Sequence, residues 1–217
     1  MELALFSDYS LAFLLRWVHL LAGVTWIGLL YYFNFIQGEY FKEADGGAKS
    51  DAIQKLVPRA LWWFRWGAMI TFLSGAFLIY VRHLSGMGIM IGATLGTIMF
   101  LNVWLIIWPN QKIVIASAKQ VAGGGEALPN AAAALGKAGL ASRTNTLFSI
   151  PMLFFMASSI HLGQIQDSVH NASIASLAVT YGLIVVLALN GVVGKTGPFT
   201  SVKGVIGSGF LLTAILY

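Results

Sequence analysis

The chain has 217 residues, of which 58% are hydrophobic and only 10% are charged, and its formal net charge is +5. Soluble domains average about 45–50% apolar and about 25% charged residues, so this composition argues against a soluble enzyme, a disordered chain and a nucleic-acid-binding domain. It indicates an integral membrane protein. The absence of cysteine excludes disulfide bonds, thiolate-bound metals, a cysteine nucleophile and covalently attached c-type haem.

Apolar runs long enough to cross a membrane recur along the chain. A spanning helix needs about 20 mostly apolar residues, and continuous apolar runs indicate helices, whereas barrel strands alternate. The sequence therefore predicts one transmembrane domain over residues 1–217, an all-α bundle of about six spans, or five because the last run is short. The predicted spans lie near residues 10–35, 61–80, 86–108, 146–162, 173–193 and 202–217.

The basic residues predict the orientation of these spans. Ten of the 13 lysines and arginines fall on one side, within or beside the loops that follow spans one, three and five. Because basic loops remain in the cytoplasm, the N-terminus is predicted to lie outside and residues 109–145 to form a cytoplasmic loop. Within that loop we expect a helical extension at 111–121, a flexible turn at 122–130 and a short helix at 131–134.

With this orientation, all four histidines fall near the outer membrane face. His19 lies in the outer half of span one, and His83 and His161 lie at the outer ends of spans two and four. His170 follows in the next outer loop. The clustering suggests a site on that side of the membrane.

Span one carries an ionisable pair on one helical face. The residues of this face are Arg16, His19, Gly23, Trp26 and Leu30. Ionisable groups inside a span are costly and often mark a functional site. The face suits haem, with His19 as axial ligand, Gly23 leaving flat room for the porphyrin and Arg16 pairing with a propionate. In the structural alternative, His19 hydrogen-bonds a neighbouring helix and Arg16 extends to the headgroups.

His161 is the best second ligand, because span four ends on the same side as His19, although an interfacial histidine is an equal alternative. Met90 could ligate haem iron or Cu(I) through its thioether, but a methionine in a membrane helix usually serves packing. His83 fits the membrane interface and His170 a solvated loop. Copper handling by these residues is therefore a further alternative.

Four segments with specific sequences occur in a fixed order. They are RWVHLLAGVTWIG at 16–28, WFRW at 63–66, GATLGTIM at 92–99 followed by PNQ at 109–111, and NTLFSIPMLFFM at 145–156. Together they resemble the membrane-bound urate hydroxylases, which share a urate oxidase N-terminal membrane domain, over roughly residues 10–163. The resemblance implies a helical domain of a bacterial inner membrane, with histidine-ligated haem b, that oxidises urate and passes electrons to a cytochrome c. His19 matches the ligand role most directly.

The chain departs from the family pattern at several polar positions. Gly67 stands where the family carries an acidic residue, Met90 and Thr144 stand where it carries histidines, and His161 is offset by one position. Typical members also end in a cytochrome c domain, so this chain resembles a shortened member that needs a separate cytochrome c or a larger complex. These departures favour haem binding over urate oxidation.

The sequence thus predicts a multi-pass haem b protein that acts in electron transfer, or as an oxidoreductase, toward the outer side of the membrane. Its predicted site contains His19, His161, Arg16, Gly23 and Trp26. Whether the chain is itself an enzyme, and whether it forms an oligomer, stays open. The first alternative is a non-catalytic accessory subunit of a larger membrane complex, favoured by the glycine ridge at 88, 92 and 96. The second is a copper-handling membrane protein.

Overall fold

The computed structural model describes residues 8–162 and 173–217, with side chains from residue 10 onward in the first range. Helix accounts for 89% of the structure, and the described residues contain no strand. The prediction of an all-α helical bundle is therefore confirmed. His170, predicted in an outer loop, lies outside the described residues.

Eight α-helices, numbered here in chain order, make up the described fold. They are α1 (Asp8–Tyr31), α2 (Gly38–Glu43), α3 (Gly46–Arg82), α4 (Met87–Leu101), α5 (Trp108–Ala122), α6 (Ala131–His161), α7 (Ile174–Val193) and α8 (Val202–Leu216). Two π-helical turns, Tyr32–Gln37 and Asn102–Ile107, join α1 to α2 and α4 to α5. Each joined pair therefore runs as one continuous helix.

Four helical segments in the described residues are long and apolar enough to cross a membrane. They are Ser10–Glu43, Gly46–Arg82, Met87–Ala122 and Ile174–Val193. These segments cover, to within one residue, the predicted spans at 10–35, 61–80, 86–108 and 173–193. The sixth predicted span is the apolar helix α8, which has only 15 residues. The chain is a helical membrane protein.

The central helix of the bundle is α6, whose second half corresponds to the fourth predicted span. It contacts α1, α4, α5, α7 and α8, and 14 of its 31 residues are buried. Its buried side chains include large rings such as Phe148 and Phe155, together with many small and polar residues. Small and polar residues suit a helix that meets other helices, because they permit close approach and hydrogen bonds.

The segment at 109–145 is mostly helical. The predicted extension is α5, and the alanine run at 131–134 forms the first turn of α6 instead of a separate helix. Between them, the backbone N–H of Leu128 donates to Oγ of Ser117 at 3.0 Å, and Nε2 of Gln120 donates to the carbonyl of Glu126 at 2.9 Å. These bonds hold the intervening turn, where Gly124 has a φ of 86° that favours glycine.

Candidate functional site

The face of α1 that carries His19 packs against α3. The half-buried imidazole of His19 lies against Gly75, where a Cβ would be only 2.8 Å from Cε1 of the ring. One turn along α1, a Cβ at Gly23 would meet Cγ2 of Thr71 at 3.9 Å. The flat room predicted beside Gly23 is therefore adjacent to α3, and the glycines let the two helices approach closely.

The same contact continues at Gly67. A Cβ at this position would lie 3.2 Å from the backbone nitrogen of Trp26 and 3.3 Å from the carbonyl oxygen of Ala22. Trp26 is 2% exposed, and its indole nitrogen Nε1 is buried without a hydrogen-bond partner among the described residues. Because backbone atoms cannot rotate aside, an acidic side chain at Gly67 would push α1 away from α3.

A hydrogen bond to Ser74 orients the ring of His19. Nδ1 of His19 lies 3.2 Å from Oγ of Ser74, and that hydroxyl donates to the carbonyl of Ile70 at 2.6 Å. Because the short contact to Ile70 engages the single hydroxyl hydrogen, we infer that Oγ accepts from the Nδ1–H of His19. In this tautomer Nε2 carries the lone pair, which is the form of histidine that binds a metal. His19 thus makes the predicted bond to a neighbouring helix and still keeps a ligand atom.

The other predicted site residues lie at helix ends or on exposed surface. His161 is exposed at the end of α6, Arg16 is exposed on α1, and Met90 is 41% exposed near the start of α4. His83 ends α3 with a left-handed φ of 48°. Across residues 8–162 and 173–217, no hydrogen bond links these side chains to His19, and no three His, Asp or Glu side chains are grouped to hold a metal. The structure places His19, Gly23 and Trp26 on one face of α1. In the described residues it shows no hydrogen bond from this face to the other predicted site residues.

Thr144, which stands where the resembled pattern carries a histidine, packs against another helix, as Gly67 does. Thr144 is fully buried, and its Oγ1 donates to the carbonyl of Leu140 at 3.1 Å. A Cβ at Gly191 of α7 would lie 2.6 Å from Oγ1 of Thr144. Because α7 covers this position so closely, a histidine side chain here would displace α7.

A buried amide pair, which the sequence did not predict as a site, joins α4 and α6. Nδ2 of Asn102 donates to Oδ1 of Asn145 at 2.8 Å, and Nδ2 of Asn145 donates to the carbonyl of Met99 at 2.9 Å. Both asparagines are at most 5% exposed. Asn102 is also the first residue of the second π-helical turn, and such turns often occur at functional sites.

The first π-helical turn makes a similar connection between α1 and α6. Nδ2 of the buried Asn34 donates to Oγ of Ser142 at 2.8 Å, and the hydroxyls of Tyr31 and Ser149 hydrogen-bond at 2.9 Å. Both π-helical turns therefore carry a buried asparagine bonded to α6. The signal in the sequence was the presence of amide side chains within otherwise apolar runs.

Arg143 is a partly buried cation at the predicted cytoplasmic end of this region. Its Nη1 is buried without an acceptor among the described residues. Burial lowers the pKa of Arg143, whereas the charge of Glu39 raises it. Arginine nevertheless stays protonated in proteins, so this end of α6 keeps its positive charge.

Replacing Asn145 with alanine is expected to lower the free energy of unfolding by about 1–3 kcal/mol, because Asn102 and the Met99 carbonyl would lose their buried partner. The measurement is the thermal unfolding midpoint in one detergent. Thr94→Ala is the control, since Oγ1 of Thr94 bonds only the carbonyl of Met90 in its own helix. An N145A midpoint equal to that of T94A would contradict a stabilising role for the amide pair.

The apolar helices and their buried polar contacts define this chain as a helical membrane protein with α6 at its centre. The family model described as Urate oxidase N-terminal matches residues 82–206, more than half of the chain. The chain belongs to that family, which confirms the resemblance. The match runs from the end of α3 into α8, so α1 and His19 lie outside it. No curated protein and no solved structure matches the chain.

Proposed function

We propose that this protein binds haem b with His19 as an axial ligand and acts in electron transfer toward the outer side of the membrane. The observation that carries the proposal is the hydrogen bond of Nδ1 of His19 to Ser74, 3.2 Å long. Metal-bound histidines commonly donate their other ring N–H to a nearby acceptor, which fixes the ring and the tautomer. The geometry of His19 fits this role. Bound haem would supply one-electron redox chemistry.

The neighbouring residues of α1 and α3 position His19 for this function. The imidazole of His19 packs on Gly75, and the hydrogen bond between Nδ1 and Ser74 fixes the direction in which Nε2 points. Arg16 is exposed one turn away, and among the described residues it forms no ion pair. It is therefore available to pair with a propionate. His161 stays our prediction for the second ligand.

Electron transfer is favoured over urate oxidation by the helix contacts at two positions of the family pattern. Gly67 and Thr144 stand where the pattern carries an acidic residue and a histidine, and each packs directly against another helix. The chain therefore places no proton-transferring side chain at either position. The proposed electron partner is a separate cytochrome c or a larger membrane complex, reached from the outer face of a bacterial inner membrane.

An absorption spectrum with pyridine haemochrome and metal analysis tests this proposal on the purified protein. After expression with a haem precursor, we expect a Soret band, the haemochrome of haem b, and iron without copper. Protein that lacks the Soret band under these conditions would refute the proposal. Copper in place of iron would favour the copper-handling alternative.

A non-catalytic accessory subunit is the second candidate. It is favoured by the direct packing of α3 on the face that carries His19, Gly23 and Trp26. Purification in a mild detergent separates the two functions. An accessory subunit would elute with other chains and without haem, whereas a haem-bound chain that elutes alone supports electron transfer.

A further inference from the structure

An aromatic wall forms where α3 meets the junction of α4 and α5. The ring centroids of Trp66 and Trp104 are 5.6 Å apart in a T-shaped arrangement. Trp104 lies in the second π-helical turn, and Trp108 is the first residue of α5. Trp62 and Trp63 extend the wall along α3 and are 46% and 60% exposed. Exposed tryptophans of this kind are typical of the boundary between membrane and water.

Two cations lie near the ring of Trp108. The guanidinium carbon of Arg65 lies 3.8 Å from the ring centroid of Trp108, and Nζ of Lys112 lies 5.7 Å from the same centroid. The ion pairs within the described part of the chain involve other residues, so Arg65 and Lys112 have no carboxylate partner there. Two neighbouring cations repel each other, and an anion between them would relieve the repulsion.

The side chains of Arg65, Lys112 and Trp104 carry hydrogen-bond donors and no acceptors. A stacked guanidinium keeps its N–H edge free for planar acceptors such as phosphate, and Lys112 is exposed. The indole nitrogen Nε1 of Trp104 is also a donor, and it is buried without an acceptor among the described residues. These three side chains therefore offer no acceptor to one another, and an anion would provide one.

We propose that Arg65 and Lys112, on the ring of Trp108, bind the phosphate group of an anionic phospholipid. Basic pockets between membrane helices bind such headgroups. A lipid suits this place better than a free phosphate ion, because the exposed rings of Trp62 and Trp63 offer apolar contact on the same helix as Arg65. The site lies on α3 and α5, away from the contact of His19, and does not depend on haem binding.

Native mass spectrometry of the detergent-purified protein, with equal amounts of phosphatidylglycerol and phosphatidylcholine, tests this site. We expect phosphatidylglycerol to be retained preferentially. Each cation near a headgroup contributes about a fivefold factor, so R65Q and K112Q should each reduce the retained fraction by about that amount. Arg59→Gln is the matched control, because Arg59 is an exposed cation six residues earlier on the same helix.

Three outcomes would overturn the proposal. They are equal retention of both lipids, an equal loss in R59Q and R65Q, and displacement of phosphatidylglycerol by millimolar inorganic phosphate. Gel filtration checks that each variant is folded. If R65Q does not fold, K112Q keeps the test valid because its side chain is exposed. Arg65→Lys, which keeps the charge but loses the planar stacking, should show an intermediate loss.

Discussion

Replacement of His19 by alanine is expected to remove the Soret band of the purified protein, whereas replacement of Ser74 by alanine is expected to weaken haem binding without abolishing it. H19A deletes the ligand atom itself. S74A leaves the imidazole in place but removes the acceptor that lies 3.2 Å from Nδ1. Loss of such an orienting partner typically costs about 10–100-fold in metal affinity. Haem titration followed by absorption spectroscopy measures both effects.

His83→Asn provides the matched control for these variants. His83 is an exposed histidine at the end of α3 with a φ of 48°, and asparagine tolerates this left-handed conformation better than most residues. The variant therefore removes an outer-face histidine while preserving the helix end. We expect its spectrum to match that of the unmodified protein. An unchanged Soret band in H19A would refute the ligand role, and equal haem affinity in S74A would refute the orienting role of Ser74.

Hydropathy could predict which parts of the chain are apolar helices, but not where those helices end. The predicted span at 61–80 is the second half of α3, which begins at Gly46. The residues at 46–60 are too polar to cross a membrane and are nevertheless helical. Their helix begins at a local cap, where Asp45 accepts a hydrogen bond from the backbone N–H of Ala48 at 2.9 Å. Hydropathy does not register such a cap.

Helical spacing could predict that His19, Gly23 and Trp26 share a face, but not what that face contacts. A face with a glycine accommodates a flat cofactor or a second helix equally well. The structure places α3 there, and the partner residues on α3 are themselves spaced at helical intervals. They are Gly67, Thr71, Ser74 and Gly75. Matching the two stripes of small residues would have predicted the helix pair.

The polar contacts of α6 required the three-dimensional structure for a different reason. Asn34, Asn102 and Asn145 lie far apart in the sequence, and each could have faced lipid, water or another helix. The bonds of Asn34 to Ser142 and of Asn102 to Asn145 depend on the positions of α1 and α4 around α6. The sequence nevertheless held one usable clue, because amides within apolar runs are expected to find partners in other helices.

The contact between α1 and α3 is expected to fail when Gly67 is enlarged. Gly67→Leu should lower the free energy of unfolding by about 1–3 kcal/mol, the usual cost of overpacking. A Cβ at Gly67 already lies 3.2–3.4 Å from backbone atoms of α1, and these atoms can yield only if the whole helix moves. The thermal unfolding midpoint in detergent measures the loss.

Gly28→Leu is the control that isolates this steric effect. A Cβ at Gly28 meets nothing within 4 Å, and both substitutions replace a helical glycine with the same residue, so the gain in helix propensity is similar. G28L should therefore unfold at or above the temperature of the unmodified protein. Because His19 and Gly67 belong to the same helix contact, G67L should also weaken haem binding, whereas G28L should not. Equal midpoints for the two variants would show that α1 can move away from α3 at little cost, and the orientation of His19 would then need another explanation.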